Sequence, residues 1–341
     1  MENKRLHWLD ASRGVALSIT MFLHILRWVL ISFKGWDFTQ SSLVNWEVAL
    51  VRAIEGYLRI SWVAPFAFAF VISLRPENYS LKWVSNRFLM LIILPSLVYG
   101  VFGFFDVGSF VLRWEVIQSL FFYNLIALLL IDLKARYRYL AYSLMLTATV
   151  YLHINQAQFV DRSLFWNILV GDLRQNNFFS IISGLPAFFF FYEICILSYN
   201  KTTKMLDFKY LKWAGISCFI LMILLFVTGI NQLEAKHYPP QLVEYLSAFV
   251  VSCIVLITTF KYRDKISPRN FLAILGRYCW IHFIGHLTVG AILFDLLKLG
   301  RNQLSFIPGV IFASFVLFSL WRMNIYILNK REKKGYDVNG K

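Results

Sequence analysis

An arginine and a histidine stand inside the first apolar stretch of the chain, in Leu9-Asp10-Ala11-Ser12-Arg13-Gly14-Val15-Ala16-Leu17-Ser18-Ile19-Thr20-Met21-Phe22-Leu23-His24. Each ionisable group would cost on the order of 2.5 kcal/mol or more if it faced lipid, so both are expected to face protein or a polar passage. Arg13 is a permanent cation that can hold an anion through charge-assisted hydrogen bonds. His24 carries an imidazole whose ordinary pKa, about 6.5, suits proton transfer near neutral pH. In a helix, their separation amounts to about three turns plus 20°, which puts both on one face with about 16 Å between their heights. The plainer alternatives are a topology signal for the arginine and a hydrogen-bonded packing element for the histidine.

Such a pair needs helices to hold it, and the composition supplies them. The chain has 341 residues, 58% hydrophobic and 18% aromatic, well above the apolar share of a soluble domain. This predicts an all-α fold, a polytopic membrane helical bundle. The first segment runs from about residue 12 to 33, with Asp10 as cap or first-turn anion, and reads as a retained helix rather than a cleaved leader. Further apolar segments follow at about 55–74, 84–105, 113–132, 137–154, 178–199, 211–230, 241–260, 271–294 and 305–328, about ten transmembrane helices in all. A single domain is expected over 1–341, with a core at 8–328 and a basic cytoplasmic tail at 329–341.

The formal net charge of +15 is distributed unevenly. With a cytoplasmic N-terminus, the termini and even-numbered loops hold about 18 Lys and Arg against about 7 in the opposite loops, which satisfies the positive-inside rule and makes both termini cytoplasmic. The basicity is therefore topological, and nucleic acid is not an expected partner. Cys195, Cys218, Cys253 and Cys279 all lie in apolar segments and offer neither a disulfide framework nor a metal-ligand spacing.

Polar groups recur elsewhere. Arg87 opens the third segment and forms a basic cluster with Arg75 and Lys82. Glu115, Gln118 and Asn124 lie in the fourth segment, and Glu193 in the sixth, near its cytoplasmic end, where it can snorkel or pair with a lysine. His282 and His286 are four apart on one face of the ninth. That is also a metal-ligand spacing, but no HExxH glutamate or third ligand accompanies it, so no metal is expected and His286 is expected to line a cavity or bond to a neighbouring helix. The outward loops at about 34–54 and 155–177 carry Trp36, Trp46, Asp161 and Asp172, which suit either sugar binding or an interfacial aromatic belt. No Ser-His-Asp order or phosphate-binding glycine loop is present.

Leu9-Asp10-x-x-Arg13-Gly14, continued as Arg13-x10-His24, resembles the opening helix of the acyltransferase 3 family of integral membrane acyltransferases. The heparan-glucosaminide acetyltransferase-like membrane proteins open similarly. The stretch Ser85-Asn86-Arg87 before Pro95 is similar to that family's second arginine motif, with Leu89 and Met90 where a further basic residue is usual. Phe66 to Leu74 looks like its aromatic segment, with Leu74 in place of glycine. Leu275-Gly276-Arg277-Tyr278-Cys279-Trp280-Ile281-His282-Phe283-Ile284-Gly285-His286 resembles its late signature, with Cys279 near the usual serine and His282 near the usual tyrosine.

The resemblance implies a multi-pass protein of the bacterial cytoplasmic membrane that moves an acyl group, acetyl foremost, from cytoplasmic acyl-CoA to a hydroxyl of a cell-envelope or exported glycan. Arg13, Arg87 and Arg75 would meet the acyl-CoA phosphates, and His24 would be the general base, with Arg13 beside it in the catalytic set. His286, His282 and Asp10 would line the cavity or meet the glycan or glycolipid acceptor. Acyl-CoA is then a co-substrate and no bound cofactor is implied, membrane lipid surrounds the chain, and the oligomeric state is left open. The rival is a glycan or lipid transporter or flippase, for which the sequence shows neither inverted halves nor paired broken helices. A catalytically inactive membrane scaffold is the third reading.

Overall fold

In a computed structural model the described residues are 6–30, 63–73, 80–97, 116–154, 181–200, 202–203, 205–228, 242–290 and 306–333. They are mostly helical. In order they form α1 (His7–Leu30), α2 (Val63–Ser73), α3 (Leu81–Phe88), α4 (Val116–Ile131), α5 (Ala135–Ile154), α6 (Ile181–Ser198), α7 (Phe208–Val227), α8 (Leu242–Lys261), α9 (Phe271–Arg277), α10 (Cys279–Gly290) and α11 (Phe306–Lys333). A helix thus stands at each of the ten apolar segments. Within them, Phe208–Leu225 and Ile307–Lys330 are long and apolar enough to cross a membrane, and the apolar stretches of α2, α4, α6 and α8 are shorter.

Four details differ from expectation, and each has a local cause. The ninth segment is interrupted: Tyr278, at φ −108° and ψ 26°, separates α9 from α10. In the third segment α3 widens into a π-helical turn, Leu89–Ile93, before resuming α-helix to residue 97. The last helix runs on to Lys333, into the basic tail expected from 329, because Asn329, Lys330, Arg331, Glu332 and Lys333 contain no helix breaker. Between α6 and α7 a small antiparallel hairpin pairs β1 (Tyr199–Asn200) with β2 (Met205–Leu206). Asn200 makes its turn, its Oδ1 accepting from the backbone N–H groups of Thr202 and Thr203.

The chain divides into two compact units, Met1–Pro65 with Val250–Lys341, and Phe66–Phe249. In the first, α1 packs chiefly on α9 and also on α10 and α11. Glycines permit the α1–α9 approach: a Cβ on Gly14 would collide with the carbonyl of Leu272, and one on Gly276 with the carbonyl oxygen of Asp10 and the backbone N of Gly14. Backbone meets backbone there. Asn270 caps α9, its Oδ1 accepting from Leu272 and Ala273. The end of α8 is tied to α1 by a buried Ser12–Thr259 hydroxyl pair at 2.7 Å and by an edge-to-face contact of Trp8 with Phe260.

The second unit has an aromatic core. Phe188 of α6 lies against Tyr123 of α4 and against Phe189 and Tyr192, and a Cβ on Gly184 would strike the Tyr123 ring. Outside that core, apolar side chains face outward. On α7, Trp213, Ile220, Leu224 and Val227 are all more than half exposed, an arrangement that water disfavours and lipid does not.

Candidate functional site

The first unit holds most of the candidate residues. An uninterrupted helix carries both Arg13 and His24, so the backbone periodicity that puts them on one face holds across the whole interval. Asp10 is in the first turn of α1 and is nearly fully buried. Its carboxylate is hydrogen-bonded and ion-paired with Arg13 Nη2, one turn on. The Arg13 side chain keeps 20% of its surface exposed. Its Nε is buried with no hydrogen-bond partner among the described residues. The side chain of His24 lies outside the described residues, as do Arg75 and the two outward loops.

His282 and His286 are buried on α10. The ring of His286 donates from Nδ1 to the carbonyl of His282 at 3.0 Å. Asn324 of α11 donates from Nδ2 to the carbonyl of Leu320 at 2.6 Å, and its other amide hydrogen is directed at His282 Nε2, 3.1 Å away. An amide N–H on Nε2 requires a lone pair there, so His282 carries its proton on Nδ1. His282 thus bonds to a neighbouring helix, and the His286 bond to the His282 carbonyl stays within α10. Among the described residues, no three His, Cys, Asp or Glu side chains converge as metal ligands would.

Arg87 belongs to the second unit, on the exposed side of α3, with its guanidinium 5.3 Å from the centre of the Trp83 ring. Glu193 is nearly buried in α6 and pairs with an arginine rather than a lysine. Arg138 of α5 reaches it with Nε at 2.5 Å and Nη2 at 3.3 Å, and the Tyr142 hydroxyl donates to the same carboxylate at 2.9 Å. This two-pronged pair crosses from α5 to α6. Two arginines escaped the sequence reading, Arg138 and, as a functional group, Arg277. Arg277 closes α9 with Nη2 3.5 Å from His7 Nδ1, and the visible signal was its place directly after Gly276.

No family model, curated protein or solved structure matches the chain.

Proposed function

We propose that the protein is a multi-pass membrane acyltransferase that takes an acyl group, acetyl foremost, from cytoplasmic acyl-CoA and places it on a hydroxyl of a cell-envelope or exported glycan. The observation that carries the reading is the unbroken α1 with Arg13 and His24 on one face, one turn past a buried Asp10. Helices at all ten apolar segments, the apolar faces turned outward and the positive-inside bias support the membrane setting. Arg13, bonded to Asp10 and partly exposed as a side chain, meets a donor phosphate. The pantetheine arm then carries the thioester inward along the helix. His24 removes the proton of the acceptor hydroxyl as its oxygen attacks the thioester carbonyl, and the CoA thiolate leaves and is protonated. Arg87 and Arg75 enter by the resemblance alone, as acyl-CoA contacts.

The deciding assay supplies the purified protein with acetyl-CoA and a panel of cell-envelope glycans. Thiol release that depends on one glycan, with an acetylated product, supports the proposal. A second reading, a glycan or lipid transporter or flippase, is favoured by the interrupted helices at Tyr278 and Leu89–Ile93, since broken helices mark many transport sites. In vesicles that protein would move the glycan or lipid across the bilayer and leave acetyl-CoA intact.

A further inference from the structure

A cation interrupts the exposed apolar side of the last helix. Along α11, Ile307, Ile311, Phe315, Phe318, Arg322 and Tyr326 follow one another at steps of three or four, so they form one stripe. Its five apolar and aromatic members are each more than half exposed, and Arg322 is exposed among them. No hydrogen bond or ion pair holds the Arg322 guanidinium among the described residues. The stripe lies within Ile307–Lys330, the stretch of α11 long and apolar enough to cross a membrane. Counted from Phe306, about 20 residues cross the hydrocarbon, which puts Tyr326 at its far edge and Arg322 about 6 Å inside. An arginine facing hydrocarbon at that depth is costly, so it snorkels: the stem stays along the stripe and the guanidinium reaches the headgroups. Lys330, exposed one turn beyond Tyr326, leans back toward the same level, because helical side chains tilt toward the N-terminus.

We propose that this face of α11 binds an anionic phospholipid of the cytoplasmic leaflet. Arg322 and Lys330 hold its phosphate with the Tyr326 hydroxyl beside them, and its acyl chains lie along Phe318, Phe315 and Ile311. The site rests on the multi-pass membrane reading above, with the end of α11 in the cytoplasm, and is independent of acyl transfer. A guanidinium fork suits phosphate oxygens. Two cations favour an anionic headgroup over a zwitterionic one, which would bring an ammonium of its own beside them. A second copy of the chain is a poorer occupant. No acidic residue precedes Glu332 in α11, so two copies packed symmetrically on this face would set guanidinium against guanidinium.

The test is native mass spectrometry of the full-length protein, delipidated in dodecyl maltoside and titrated with phosphatidylglycerol or phosphatidylcholine. Wild type, Arg322→Gln, Lys330→Gln and Lys209→Gln are compared, with melting temperature as a check on folding. Lys209, exposed at the start of α7, controls for net charge. The wild type is expected to bind its first phosphatidylglycerol about tenfold more tightly than phosphatidylcholine. Arg322→Gln should lose about tenfold of that affinity and Lys330→Gln about fivefold, while Lys209→Gln keeps it. Wild-type phosphatidylglycerol affinity in a folded Arg322→Gln would overturn the site and leave the membrane and acyltransferase readings standing. If Arg322→Gln does not fold, wild-type affinity in Lys330→Gln would overturn it equally. A wild-type dimer that Arg322→Gln dissociates would assign the face to a second copy instead. Recovery of the protein from cells in the soluble fraction, without detergent, would remove the membrane reading and the site together.

Discussion

Asp10 and Arg13 illustrate how a charge is tolerated in an apolar helix. The carboxylate is almost completely buried, and a guanidinium one turn away is bonded to it, which offsets the cost of burying it. Arg13→Gln is accordingly expected to do two things at once: raise the KM for acetyl-CoA about tenfold and lower the melting temperature, because Asp10 loses a partner. Adding Asp10→Asn should restore the melting temperature but not the KM, and steady-state kinetics beside thermal unfolding of the two variants separates these effects. Glu193 is a second case. Glu193→Gln leaves Arg138 facing a neutral amide and is expected to destabilise the protein by roughly 3–5 kcal/mol, whereas Glu193→Leu with Arg138→Met should recover most of that loss. Unfolding monitored by tryptophan fluorescence checks both. The sequence marked Glu193 as a polar group at membrane depth, yet its partner stands 55 residues away, and such a pairing is made by packing that no local pattern encodes.

At the scale of elements, helix positions were legible because apolar runs of about twenty residues bounded by charged loops leave little choice of structure. The interruptions were not. Tyr278 breaks a run whose flanking Arg277, Cys279 and Trp280 carry no turn chemistry, and Leu89–Ile93 is an apolar stretch like any other. Gly14 entered the sequence reading only as a motif letter, and its physical reason emerged from the backbone of α9 lying against it. Gly14→Ala and Gly276→Ala each place a methyl group where a carbonyl already is, and each should cost about 3 kcal/mol or more, read as a fall in melting temperature. Asn270→Ala, which removes only the cap of α9, should cost about 1 kcal/mol in the same measurement. An α9 held chiefly by its cap rather than by its seat on α1 would reverse that order.

For the molecule as a whole, the charge bias and the apolar segments lead to the topology we propose, an even number of crossings with both ends in the cytoplasm. Thr203→Cys, in the basic turn between α6 and α7, should then react with a membrane-impermeant maleimide only from the cytoplasmic side, and Arg162→Cys only from the other. The native cysteines, Cys195, Cys218, Cys253 and Cys279, are buried and should contribute little background. The candidate site was legible to the extent that it lies along one helix, as Arg13, Asp10 and His24 do, since helical spacing converts sequence distance directly into geometry. It was illegible where it is assembled from distant segments, as with Arg277 against His7 and Asn324 against His282.

The central claim is that the His24 imidazole acts as the general base of acyl transfer, and the most direct measurement is release of free CoA from acetyl-CoA, in the presence of the accepting glycan, by wild type and His24→Ala reconstituted in vesicles. The account predicts glycan-dependent release by the wild type and a fall of about a hundredfold or more in the variant, with unchanged melting temperature and CoA affinity. Release by His24→Ala at the wild-type rate would contradict it.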